Sequence, residues 1–198
     1  MIAIGCATTD ERAFRAAGAP TIEAIDEGDS LLMRHHGFES IDVPFNEMIA
    51  AAAAREDLEA LLLVHQDALL EPKRDLPRLV RELLVAEKDL AMVWAAAKGF
   101  SMRHRDDVSA TLLALSPWTV QKLRFDPTVG GSADASAEDL ALQAQAAGRC
   151  ALPAKMGVVR SRMPQPPATR RRELQARVEV RRKWDRMPAT STDPPGIT

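Results

Sequence analysis

Residues 58–64, Leu-Glu-Ala-Leu-Leu-Leu-Val, form a largely apolar run that breaks abruptly into His65-Gln66-Asp67. Such a run suits a strand at the centre of a sheet covered on both faces. An imidazole, an amide and a carboxylate then fall at the strand's carboxyl end, where open α/β sheets keep their ligands. A histidine satisfied by backbone at a strand end is the plainer alternative. So much polarity directly after a buried strand favours a site.

The rest of the chain is read around that strand. Residues 2–7 predict a short buried strand, and Asp10 caps a helix that Gly18 and Pro20 stop. Residues 21–25 read as a second strand, with Asp26-Glu27-Gly28 as the turn at its carboxyl end. One or two short strands are expected within 31–43, and Pro44 opens an Ala-rich helix to residue 54. Further helices are expected from Asp75 or Pro77 to 86, after Ser116-Pro117, and over 136–147, where Gly148 ends the last. Strands are expected over 90–97, 108–115 and 150–159. Alternation of this kind predicts a single α/β domain with a largely parallel sheet flanked by helices.

Composition sets limits on function. Lys and Arg number 26 against 28 Asp and Glu, a near balance that argues against a dedicated nucleic-acid binder. With no Tyr and few aromatics, aliphatic residues and Ala must fill the core. Cys6 and Cys150 make no C-x-x-C pair, which suggests reduced thiols and a cytoplasmic setting. No apolar stretch is long enough to cross a bilayer. The P-loop, the G-x-G-x-x-G fingerprint and the G-x-S-x-G elbow are all missing. His35-His36 lacks the spacing or the neighbouring Cys of a zinc site, and Arg103-His104-Arg105 reads as a solvated basic loop.

Three acidic clusters follow predicted strands or open a helix: Asp26-Glu27, Asp67 and Glu138-Asp139. Singly, each reads as a solvated turn or as helix-start charge that favours the dipole. Brought to one rim, they would suit a divalent cation on a diphosphate, with one carboxylate left to take a proton.

The order of motifs adds to this. Pro44-Phe-Asn46-Glu47, Leu61-Leu-Leu-Val-His65-Gln66-Asp67, Ser116-Pro-Trp118, Phe125-Asp126 and Glu138-Asp139-Leu-Ala-Leu, with Lys183-Trp184 near the end, run in sequence. This series resembles the small bacterial glycosyltransferase-like proteins related to a streptomycin-biosynthesis protein, within the family-2 glycosyltransferases of the GT-A fold. The resemblance covers most of residues 1–160 and implies a nucleotide-sugar-binding domain there. It implies a metal-assisted, inverting transfer from a nucleotide-diphosphate sugar to an acceptor hydroxyl of a glycan, a lipid-linked molecule or a small molecule. By the same resemblance, Asp26, Thr8 and His65 would contact the nucleotide, and Asp67 would bind Mn²⁺ or Mg²⁺. Asp139, with Glu138 beside it, would be the general base.

The chain departs from the family over residues 134–139, where an aromatic and one acid are gone. That departure leaves a catalytically degenerate binding or scaffold protein as the alternative. The transferase reading demands that Asp26, Asp67 and Asp139 share one cleft.

Residues 161–187 read as a Pro-rich connector and a basic helix, and 188–198 as a disordered tail. Leu174, Val178 and Trp184 are expected to dock that helix on the domain, with its arginines solvated. The helix could instead touch anionic lipid peripherally. A homodimer is compatible with this reading.

Overall fold

The computed structural model describes residues 1–96, 108–129, 132–161 and 167–186. The Arg103-His104-Arg105 loop, Gly130-Gly131, most of the Pro-rich connector and the 188–198 tail lie outside the described residues.

A six-stranded sheet runs through the middle of the protein. Its strands are β1 (Ile2–Thr8), β2 (Leu31–His36), β3 (Ala60–His65), β5 (Leu90–Ala95), β6 (Leu112–Leu115) and β7 (Cys150–Ala154), in the order β2-β1-β3-β6-β5-β7. β1 pairs in parallel with β2 and β3, and β5 with β7, while β6 runs against both β3 and β5. The sheet is therefore mostly parallel, as expected. The predicted central strand is central: Leu61, Leu62, Leu63 and Val64 have no exposed surface.

Alternate residues of the strands serve two cores. On one face Leu61, Leu63, Met92 and Leu113 pack on α3 (Asp42–Ala53), α5 (Pro117–Lys122) and α6 (Ala133–Ala146). On the other, Ile2, Ile4, Leu62 and Val64 meet Ile25 of α2 (Ala19–Ile25) and Leu76 and Val80 of α4 (Leu76–Ala86). The result is a single three-layer α/β domain. Caps fall where the sequence places them. The Asp10 carboxylate accepts from the Arg12 and Ala13 amides at the start of α1 (Glu11–Ala13), and Ser116 caps α5. Gly148, at φ +73°, follows α6.

Two expectations are corrected. Residues 21–25 are helix, not strand. Gly18 and Pro20 do not stop the first helix, because a wide π-type turn over Phe14–Gly18 carries it into α2. Thr21 and Ile25, four apart, bury one face, and the Thr21 hydroxyl donates to the Ala68 carbonyl at 2.7 Å. Side chain and burial together hold the helical phase. The second correction concerns 150–159, which is not one strand. Gly157 (φ +70°) turns the chain out of β7 into β8 (Val158–Arg160), which pairs antiparallel with β4 (Ala68–Leu70) in a separate two-stranded ladder.

The basic helix, α7 (Pro167–Asp185), lies along α6. Its apolar contacts are few: Ala176 and Val180 against Val129 and Ala135, with Leu142 and Trp184 at the margin. The expected anchors Leu174 and Val178 point outward, 59% and 42% exposed. The helix is turned so that its cations, rather than its larger aliphatics, meet α6.

Candidate functional site at the carboxyl edge of the sheet

The carboxyl ends of β1 and β3 and the amino end of α6 surround a cleft of about 320 Å³. Ala7 and Thr9 line it from β1, residues 38–41 from the loop before α3, and His65 and Gln66 from the end of β3. Residues 132–134, Arg160, Thr169 and Glu173 close the remaining sides.

Within His65-Gln66-Asp67 the three side chains do different work. The Gln66 amide oxygen accepts from the backbone N–H groups of Thr9 (2.7 Å) and Asp10 (2.9 Å), and so straps the β1–α1 loop to β3. His65 Nδ1 is hydrogen-bonded to the Asp67 carboxylate, both groups being largely buried. The main chain of Asp67 accepts from Ser161 N at 2.7 Å, and Ala68 pairs with Arg160. That ladder sets the Arg160 guanidinium beside Asp67, Nε to Oδ1 3.5 Å, and Nη2 reaches Asp134 Oδ1 at 3.3 Å.

The other sequence-assigned residues are placed elsewhere. Asp26 closes α2 and accepts from the Gly28 amide at 3.0 Å in the turn that leads into β2. That turn lies at the amino edge of the sheet, where neighbouring Glu27 and Glu59 both pair with Arg81. Because residues 21–25 are helix, Asp26 is carried to the edge opposite Asp67. Thr8 is buried behind the cleft, its hydroxyl 3.7 Å from Cys6 Sγ, and its neighbours Ala7 and Thr9 line the opening instead.

Glu138 and Asp139 sit a turn or more inside α6, beneath α7. Asp139 is fully buried: Oδ1 accepts from Lys183 Nζ and Trp184 Nε1, each at 2.8 Å, and Oδ2 from Gln143 Nε2 at 2.8 Å. Glu138 accepts from Arg181 Nε at 2.8 Å and borders a different hollow, between α6 and β7, with Trp94 and Leu152. Asp26, Asp67 and Asp139 therefore share no cleft. The three-acid centre expected from the resemblance is not assembled.

Sequence reading missed the cations that organise this edge. Arg177 lies 3.4 Å from Asp134 and 3.8 Å from Glu138, and Lys183 bridges Asp139 and Asp126 at 2.8 and 2.7 Å. Burial raises the Asp126 carboxyl, yet the hydrogen bonds from Lys183 and Thr128 outweigh it and hold the group below its ordinary value. Burial lowers Lys183, yet its hydrogen bonds to Asp126 and Asp139 outweigh it and hold the ammonium above its ordinary value. The signal for Arg160 was present in the sequence. It ends an apolar strand segment, Val158-Val159-Arg160, much as Asp67 follows another.

No protein-family model matches the chain, and no curated protein does. Among solved structures, it is similar to a glycosyltransferase involved in the glycosylation of the major capsid of PBCV-1, with 11% identity and a TM-score of 0.41. The match covers 61% of this chain and 61% of that one. A likeness so slight fixes neither family nor residue roles.

The divalent cation implied by the resemblance does not fit the residues present. Among the described residues no three His, Cys, Asp or Glu side chains gather at metal-binding spacing. The space between the two carboxylates nearest the cleft, Asp67 and Asp134, is taken by the Arg160 guanidinium. Among the described residues no helix is long and apolar enough to cross a membrane.

Proposed function

We propose that this chain is a glycosyltransferase-type protein whose carboxyl-edge cleft receives a nucleotide-diphosphate sugar, the transfer mechanism that required Asp26, Asp67 and Asp139 in one cleft being set aside. The observation that carries the reading is the cleft's position, outside the carboxyl ends of two adjacent parallel strands, with His65 and a neighbouring cation on its wall. The His65 imidazole would hydrogen-bond the donor. The Thr9 hydroxyl, in the loop strapped by Gln66, would supply a further polar contact.

A second reading, a catalytically degenerate binding or scaffold protein of the same architecture, is favoured by one specific feature. Both oxygens of Asp139 are already engaged, and no surface of the residue is open to an acceptor. Asp134, nearer the cleft, is paired with Arg160 and Arg177. A general base must reach the proton it removes, within about 3 Å or through one water.

Titration with UDP-, GDP- and dTDP-sugars, followed by assay of donor hydrolysis and transfer, separates the two. Saturable binding with turnover supports transfer. Binding without turnover, unchanged in Asp139→Asn, supports the binding protein. Absence of binding by all three donors overturns both.

A further inference from the structure

We propose that the Arg160 guanidinium is the resident cation of the carboxyl-edge cleft, standing where a divalent metal would, and that it anchors phosphate groups there without metal. The inference rests on the donor reading for its nucleotide, but not for its anion. Asp67 and Asp134 come from the end of β3 and the first turn of α6, and the ladder between β4 and β8 fixes the root of Arg160 between them. Nε stands 3.5 Å from Asp67 and Nη2 3.3 Å from Asp134, so one planar group spans both carboxylates. A divalent ion entering this space would meet a fixed positive charge at contact distance. Arginine keeps that charge at every accessible pH.

The guanidinium still has donors to give. Nε is buried and among the described residues has no hydrogen-bond partner, its approach to Asp67 being a charge contact without hydrogen-bond geometry. Turning the fork toward an anion therefore breaks no bond at that atom. Arginine's five donors in a plane match the oxygens of a phosphate two at a time. Arg160 lines the cleft together with Thr9 and Ser132, whose hydroxyl groups can donate to the remaining phosphate oxygens.

The test uses the full chain and two probes, Mn²⁺ and inorganic pyrophosphate. Mn²⁺ titration followed by electron paramagnetic resonance should show no saturable site in the wild type. One site should appear in Arg160→Met and disappear again in Arg160→Met/Asp67→Asn. Calorimetry in excess EDTA should show pyrophosphate binding that weakens at least about tenfold in Arg160→Met, as loss of a charge-assisted pair implies.

Asp134→Asn frees a competitor for the guanidinium and should tighten pyrophosphate several-fold, a gain that misfolding does not mimic. Saturable Mn²⁺ binding by the wild type that Asp67→Asn abolishes would overturn the proposal. So would pyrophosphate binding that requires Mn²⁺ or ignores both substitutions at 160 and 134. If pyrophosphate behaves as expected while UDP-, GDP- and dTDP-sugars bind no tighter than it does, the donor reading fails and the Arg160 assignment stands.

Discussion

At the scale of single residues, much of the recognisable motif series is structural. Asn46, of the Pro44-Phe-Asn46-Glu47 motif within α3, donates from its amide nitrogen to the Phe125 carbonyl and accepts from the Phe125 amide, both at 2.9 Å. The Phe45 and Phe125 rings pack beside it, tilted by 48° with centroids 5.2 Å apart. Two motif fragments 79 positions apart are thus one clasp that holds the loop after α5 onto α3. Asn46→Ala strands both backbone groups of Phe125, and a loss of about 1–3 kcal/mol is expected, measured as a drop in the urea midpoint at unchanged slope.

The two thiols differ for a similar reason. Burial pushes the Cys6 thiol up to about 11, whereas Cys150 is exposed. The thiolate is the reactive form. Near pH 8 the native protein should release close to one equivalent of colour from Ellman's reagent, and two in guanidinium chloride. Two equivalents from the folded protein would contradict the burial of Cys6.

At the scale of elements, the central strand was legible and the helix phases less so. The β3 run could be read from sequence because a covered central strand is apolar throughout, whatever its neighbours are. Residues 21–25 could not, since five residues containing three apolar ones satisfy either period, and the Thr21 bond to β4 that decides the matter is non-local. With that helix misread, Asp26 was assigned to the wrong edge. α7 shows the same limit. Its larger aliphatics suggest one face, but the acids of α6 select another, and Ala176 and Val180 turn inward so that Arg177, Arg181 and Lys183 can reach Asp134, Glu138 and Asp139.

A pH dependence follows from that arrangement. The depressed carboxyl of Asp126 contributes stability above the ordinary 3.8, and the contribution is lost as pH falls through the lower folded value. The raised ammonium of Lys183 contributes fully below 10.5 and is lost as pH climbs through the higher folded value. Denaturation midpoints should therefore lie on a plateau between these limits and fall at both ends. In Lys183→Met the alkaline fall should shrink, because the group that titrates there is gone. An unchanged alkaline limb would show that another group controls it.

At the scale of the whole molecule, the two edges of the sheet are finished differently. The amino edge is tied by Arg81 to Glu27 and Glu59, whereas the carboxyl edge keeps an opening beside which Arg160 pairs with Asp67 and Asp134. Three of the paired acids, Asp134, Glu138 and Asp139, belong to α6, and α7 supplies most of their partners. Apolar burial between the two helices is slight, so the charges decide whether α7 belongs to the fold.

A buried ion pair that loses one partner costs about 3–5 kcal/mol, because the remaining charge stays desolvated, while removing both charges can be nearly neutral. Truncation after residue 161 removes only the cationic side. The truncated chain should lose at least about 3 kcal/mol, read from its urea midpoint at pH 7, some of it returned by exposure of α6 to water. Adding Glu138→Gln and Asp139→Asn to the truncated chain should restore a large part of the loss, since amides tolerate that surface without a counter-charge. If the double substitution restores nothing, α7 is held by its apolar contacts, and the acids of α6 are not what the basic helix answers.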